Sequence, residues 1–271
     1  MRIPITMCHG IRLDAKPLTA EHLSSLMKVA SEMGFRSITY DDLHAWKEGA
    51  GALPDRPLMI DFDHPVRSIR YDVHDVLAHY GFVGNLFMYT RPYDHGHRGD
   101  LPFSESEIGE PHMTWEEIGE VREAGWNIGA HTLTHPNLSL LSVEDPTGER
   151  LREQLDRSNE TIRQNLGFVP KDFAFTGTSW SSGAEAEVKK RYRFGRLWIT
   201  GTHYQVDGKP MRYADLVGAP GDDEPDGGPP AAARYITEES DPYRLPSMEF
   251  QHLIHSTDAF RRYLEGALEA A

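Results

Sequence analysis

Two hydrophobic periods take turns along this chain. Short apolar runs with the character of buried strands occupy residues 3–7, 35–39, 57–62, 83–89, 126–130, 173–176, 196–200 and 248–254. Between them the apolar positions fall at helical spacing. Leu23, Leu26, Met27, Ala30 and Met33 share a face that Gly34 closes, and Val73, Val76, Leu77 and Tyr80 repeat the pattern before Gly81. A short helix is expected over 41–46. Thr114 followed by Glu117 forms a capping box ahead of Ile118 and Val121. Glu149–Leu166 is the clearest helix, with Leu151, Leu155, Ser158, Ile162 and Leu166 on one side and Gly167 at its end. Further helices are expected over 185–191 and 257–271. The stretches 91–111 and 218–233 are polar and rich in Gly and Pro, so both read as exposed loops.

Strands alternating with helices argue for a parallel α/β sheet covered by helices. Seven or eight such units can close into a (β/α) barrel, whose chemical groups gather at the C-terminal ends of the strands. No linker or internal repeat interrupts the pattern, so a single domain over 1–271 is expected.

Two segments place chemistry at such strand ends. Asp61-Phe62-Asp63-His64 closes the apolar run 57–62, and His131-Thr132-Leu133-Thr134-His135 follows the run 126–130. Carboxylates and imidazoles delivered together can bind a metal, activate water and attack a carbonyl or phosphoryl centre. Asp61 and Asp63, two apart on a strand, point to the same side. Composition narrows the options. With 28 Lys and Arg against 42 Asp and Glu, the net charge is −14, which argues against nucleic acid as a partner. The single cysteine, Cys8, excludes an intramolecular disulfide. No apolar run approaches the ~18 residues of a membrane span, and none at the N-terminus resembles a leader. A soluble, cytoplasmic protein without membrane partners is expected, although a chain stripped of a leader would read the same.

The order of motifs resembles the polysaccharide deacetylase superfamily (carbohydrate esterase family 4, NodB homology). Ile5-Thr6-Met7-Cys8-His9-Gly10-Ile11 resembles its N-terminal strand and Tyr-His-Gly-Val-type turn. Phe62-Asp63-His64 resembles the Thr-Phe-Asp-Asp-Gly motif, and Gly125 to Pro136 resembles the His-(Ser/Thr)-x-x-x-His-Pro motif closely. Phe173-Ala174-Phe175-Thr176-Gly177-Thr178 stands where the family carries Phe-Ala-Tyr-Pro-Tyr-Gly. The resemblance implies a distorted (β/α) barrel of seven or eight strands, NodB-homology type. It also implies hydrolysis of an amide, usually an N-acetyl group on an amino sugar, with a divalent metal such as zinc. Carried over by position, Asp63 is the base, and His64, His131 and His135 are the metal ligands. His9 matches an acid used by members with a rearranged motif order. The backbone of Gly177 falls where the family holds the oxyanion. The C-terminal Leu-His motif has no match, and His252 and His255 lie in the wrong context for it.

His64 is the departure, an imidazole where the family has a carboxylate. A three-histidine site can still hold zinc and acidify its water. The alternative is loss of the metal, as in relatives that hydrolyse cyclic amides or ureides without one. Asp61 replaces a threonine and is expected to tune Asp63, or else to cap a helix or pair with an arginine. Trp180 and Trp198 are candidate sugar platforms, with the core as their alternative. His95, His97 and Arg91 belong to a loop that could cover the site; His74 and His79 read as surface. The sequence therefore favours a metal-dependent hydrolase of a C–N amide bond, acting on an N-acetylated carbohydrate or small amide, with homo-oligomerisation left open. A catalytically inactive carbohydrate-binding barrel is the reading from another class.

Overall fold

The computed structural model describes residues 1–93 and 111–269, apart from positions 12, 14 and 15. Its centre is a curled sheet. Along it, Tyr235–Ile236, Ile3–Cys8, Pro57–Asp63, Asn85–Met88, Asn127–Ala130, Asp172–Ala174 and Phe194–Arg196 lie side by side. All neighbours are parallel except the first pair. Met248–Glu249 adds a parallel pairing to Thr6 and Met7. Bridges from Arg196 to Leu245 and from Ile199 to Met248 tie the far end of the curl to this strand. The fold is thus the expected distorted barrel, and its strands end at one mouth.

Alternation within the strands sorts the interior into layers. Leu58, Ile60 and Phe62 face outward, into the cluster shared with the helices. Met59 faces inward with Ile3, Ile5, Phe87, Ala174 and Phe194, and these form an apolar floor. On the same inward register Asp61 and then Asp63 follow Met59 towards the mouth. Floor and mouth are therefore set by which parity of each strand is apolar.

The helices form for the reasons their spacing gives. Thr19 caps Ala20–Glu32, which buries Leu23, Leu26, Met27, Val29 and Ala30. The capping box of Thr114 and Glu117 is present at Trp115–Glu123. Glu149–Leu166 spans the residues expected and stops where Gly167 turns left-handed.

Several expectations need correction. The strand expected over 35–39 is only Arg36–Ser37, because two residues alone find a partner on Pro57–Asp63. The run 248–254 yields Met248–Glu249, after which the chain turns. The helix expected from Val73 starts earlier, in a π-helical turn Ile69–Val73 that continues as His74–His79. Residues 218–233 are not wholly exposed: Arg234 forms a fork with Asp226 and folds Gly228, Pro229 and Pro230 against the body. The sequence reading also missed helices Leu138–Glu144 and Tyr213–Val217, and a second sheet. That sheet pairs Ser179–Trp180 with His203–Val206 and the latter with Lys209–Arg212. Its hairpin turns at Asp207-Gly208, both left-handed, which is a strong sequence signal for such a turn. Among the described residues no helix is long and apolar enough to cross a membrane.

Gly129 tests the tightness of the barrel wall. A Cβ there would stand 2.4 Å from Cδ1 of Phe87 and 3.1 Å from the Asp172 carbonyl oxygen. Gly129→Ala is expected to cost about 1–3 kcal/mol through overpacking, seen as a lower thermal midpoint. Adding Phe87→Leu should recover part of the loss; equal midpoints for wild type and Gly129→Ala would contradict this packing.

Candidate metal centre and active site

Six strands hand polar groups to the mouth. His9 follows Ile3–Cys8, and Asp63 and His64 end and follow Pro57–Asp63. Tyr89 follows Asn85–Met88, and His131 follows Asn127–Ala130. Arg196 ends its strand two residues before Trp198, and Glu249 ends the last.

His64, His131 and His135 converge. Their ligand atoms lie within 4.8 Å of one another. His64 and His131 are buried and His135 is half-buried. Nδ1 of His131 lies 2.8 Å from the carbonyl oxygen of Ala174. That contact assigns the proton to Nδ1 and leaves the Nε2 lone pair facing the site. Nε2 of His131 and both ring nitrogens of His64 are buried without a hydrogen bond. Three neutral nitrogen donors around one point, one oriented from behind, fit a divalent cation such as zinc.

The backbone that presents them is strained. His64, Thr132 and His135 have φ of 67°, 70° and 57°. Non-glycine residues in this region each cost of the order of 1–3 kcal/mol. Neighbouring contacts hold them there. The His64 N–H donates to Phe87 O at 2.9 Å, and the His131 N–H to Met88 O at 3.0 Å. The His135 N–H donates to the Thr132 hydroxyl at 3.0 Å, while Gln154 of the long helix accepts from the Thr134 N–H and hydroxyl.

The carboxylates sit beneath the imidazoles. Arg196 is fully buried and donates from Nη2 to Asp63 Oδ1, with its Nε 3.5 Å from Asp61 Oδ2. Asp61 also accepts from the Tyr40 hydroxyl at 2.7 Å and from Asn85 Nδ2 at 3.0 Å. The second oxygen of Asp63 is 3.7 Å from His131 Nε2. Burial pushes the Asp61 carboxyl up to about 7, against the pull of Arg196 and Tyr40. Burial raises Asp63 as well, opposed by Arg196 and then His135.

His9 meets His64 and Trp198 edge-on, at ring separations of 4.8 and 5.3 Å. Trp198 is half-buried and so offers surface at the mouth. Trp180 is engaged otherwise: it is 5% exposed, donates to Glu185 and lies under Arg244. Gly177 lies in the turn after Asp172–Ala174 with φ of 58°, and its carbonyl accepts a 3.4 Å bond from Tyr204. His252 is exposed near Trp198, while His255 contacts His22 and Pro17. His74 is half-buried against Trp126, His79 is exposed, and the Arg91 N–H anchors Leu133 O. His95 and His97 lie outside the described residues.

Sequence reasoning missed Arg196, Glu249, Tyr40, Asn85 and the Tyr89–His112 pair, whose hydroxyl and Nε2 are 2.7 Å apart. Arg196 left a signal. A lone cation inside Phe194-Gly195-Arg196-Leu197-Trp198-Ile199 cannot be buried without a carboxylate partner.

Burial holds His64, His131 and His135 below the ordinary imidazole value, and takes His112 down to about 4. The sign follows. In the unfolded chain these groups gain protons first, near 6.5, so the folded form loses stability as pH falls from there. Asp61 and Asp63 act the other way, Asp61 losing its stabilisation as pH rises through about 7, but four imidazoles outweigh two carboxyls. Chelator-treated protein should show a thermal midpoint that falls continuously below about pH 6.5. Zinc should raise that midpoint at pH 7.5 and lose its effect near pH 5, and a midpoint flat over this range would contradict neutral, buried rings.

Comparison with known proteins gives a family and a fold. The family model described as polysaccharide deacetylase matches residues 50–193. Two Bacillus subtilis (strain 168) proteins match in sequence. YlxY is 44% identical over 55 residues. YxkH, which carries a provisional polysaccharide deacetylase name, is 22% identical over 149 residues, 55% of this chain. The chain spans only 16% and 48% of the lengths of these two relatives. In fold it is similar to the Streptococcus pyogenes deacetylase PplD, solved in complex with acetate. That pair has a TM-score of 0.68 at 12% identity, over 97% of this chain and 98% of the other. IcaB from Ammonifex degensii gives 0.68 at 14% identity, over 99% and 97%.

Proposed function

Because the chain belongs to the polysaccharide deacetylase family, we propose that it is a metal-dependent amide hydrolase that removes the acetyl group from an N-acetylated carbohydrate. One observation carries the reading: three imidazoles converge beside a carboxylate that a buried arginine holds in place. His64, His131 and His135 would hold a divalent cation, zinc suiting a set of nitrogen donors. When bound, such an ion polarises the substrate carbonyl and makes water a better nucleophile near neutral pH.

The chain's own residues do the rest. Arg196 fixes Oδ1 of Asp63, so Oδ2 is the oxygen left to take a proton from the attacking water. Asp61 divides the attraction of Arg196 and so adjusts how strongly Asp63 binds that proton. The Gly177 N–H is assigned to the developing oxyanion, since a backbone donor survives the altered side chains around it. His9 protonates the departing nitrogen. Trp198, half-buried beside His9, supplies a face for a sugar ring. Trp180, occupied by Glu185 and Arg244, is not part of this reading. The metal-free alternative leaves both ring nitrogens of His64 buried without a hydrogen bond, a costly state that a cation relieves at one of them.

Acetate release from N-acetylated sugar oligomers should disappear after chelation and return with zinc. His131→Ala should lose the metal along with the activity. Asp63→Asn should keep the metal while kcat falls about 10²–10⁴-fold. Release that persists in protein shown by elemental analysis to hold no metal would defeat the reading.

A further inference from the structure

The small second sheet meets the mouth at the turn that carries Gly177. Ser179, the first residue of Ser179–Trp180, is 2% exposed, and its hydroxyl oxygen accepts from the Leu138 N–H at 3.0 Å. That leaves its one proton for the Thr176 carbonyl oxygen, 2.7 Å away. The Thr176 hydroxyl in turn donates to the carbonyl of Pro136, next to His135. On the following peptide the Gly177 carbonyl accepts from Tyr204 of the neighbouring strand, whose hydroxyl also accepts from the Trp198 N–H at 3.2 Å. The Thr178 carbonyl accepts from the Gln205 N–H at 2.9 Å. Each carbonyl from 176 to 178 is therefore held. The turn has no proline, and Gly177 is left-handed, so its stiffness comes from these neighbours. Gly177 is half-buried, and a Cβ on it would meet nothing within 4 Å, which leaves room beside its backbone.

We infer that Ser179 is the positioning residue for the Gly177 N–H, with Tyr204 as the second pin of the turn. The inference rests on the deacetylase reading above and adds what aims its oxyanion donor. In a trans peptide the C=O and the N–H point in opposite directions. Ser179 grips the Thr176 C=O from the packed side, so the Gly177 N–H of the same peptide is turned the other way, out of the packing. A hydrogen bond on the C=O also polarises the peptide and makes its N–H a stronger donor. The charge that this donor meets arises in one step. Water oxygen bonds to the amide carbon, its proton goes to Asp63, and the carbonyl π pair moves onto the amide oxygen. A donor fixed beforehand stabilises that oxygen without having to reorganise.

An amide and an ester both pass through such an oxygen, whatever their leaving group. The test therefore compares an N-acetylglucosamine pentamer with 4-nitrophenyl acetate on zinc-loaded protein. Ser179→Ala is expected to lower kcat about 10–100-fold on both substrates, at unchanged KM and zinc content. Inhibition by a methylphosphonamidate analogue of the pentamer, a tetrahedral mimic, should weaken by the same factor, which loss of a merely structural serine would not bring about. Ser179→Thr keeps the hydroxyl and should recover most of the loss. Tyr204→Phe should give a smaller loss of the same kind. A loss confined to the pentamer, a change in KM alone, unaltered inhibition, or no loss at all overturns the role of Ser179. If thermal melts show Ser179→Ala unfolded, Tyr204→Phe decides by the same criterion. A wild-type protein that binds zinc yet cleaves neither substrate overturns the parent reading and this one together. A wild type that cleaves both, with every variant matching it, overturns this one alone.

Discussion

The barrel is organised around one buried cation. Arg196 has no access to solvent, and its guanidinium lies over the ring of Phe87 with Asp61 and Asp63 as its counter-charges. Removing one member of such a group leaves an uncompensated charge inside, at a cost of about 3–5 kcal/mol. The two acids therefore cannot be regarded as site residues alone. They make it tolerable to place an arginine on a barrel strand, and the arginine makes it tolerable to keep two carboxylates dry. Tyr40 and Asn85 complete the arrangement by satisfying the remaining oxygens of Asp61. Stability and chemistry share the same atoms.

From that centre the site is built outward by parity and by ends. Inward positions of successive strands pass from aliphatic and aromatic side chains to the charged trio. Beyond the strand ends, where alternation no longer dictates direction, tight turns aim the imidazoles instead. Their hydrogen bonds run to neighbouring strands and to the long helix. The geometry of the mouth is thus inherited from the rigid barrel rather than from the loops themselves.

Legibility in the sequence followed how local each cause was. Glu149–Leu166 could be read to the residue because its periodicity and its terminal glycine are both written within the segment. The two histidines of the 131–135 motif could be read because both lie on one turn. Arg196 could be placed on a strand but not matched to Asp63, which lies 133 residues away. Glu249 was invisible for the same reason. Its place at the mouth comes from a parallel pairing with the first strand, and no local pattern announces that. The hairpin at Asp207-Gly208 is different, since its turn signal was present. Its flanking strands give little to read: His203–Val206 alternates over only four residues, and Lys209–Arg212 is exposed on both faces and does not alternate.

The twist of the chain at position 64 also limits what that position can become. A left-handed φ admits Asn, Asp, His and Gly with modest strain and penalises β-branched or bulky aliphatic side chains. Apart from glycine, the residues that fit this bend all offer a lone pair. An exchange of carboxylate for imidazole leaves the main chain undisturbed, so the chemistry of the cavity can drift between oxygen and nitrogen donors while its scaffold stays still. Replacement by valine or isoleucine would have to remake the turn before it could empty the pocket.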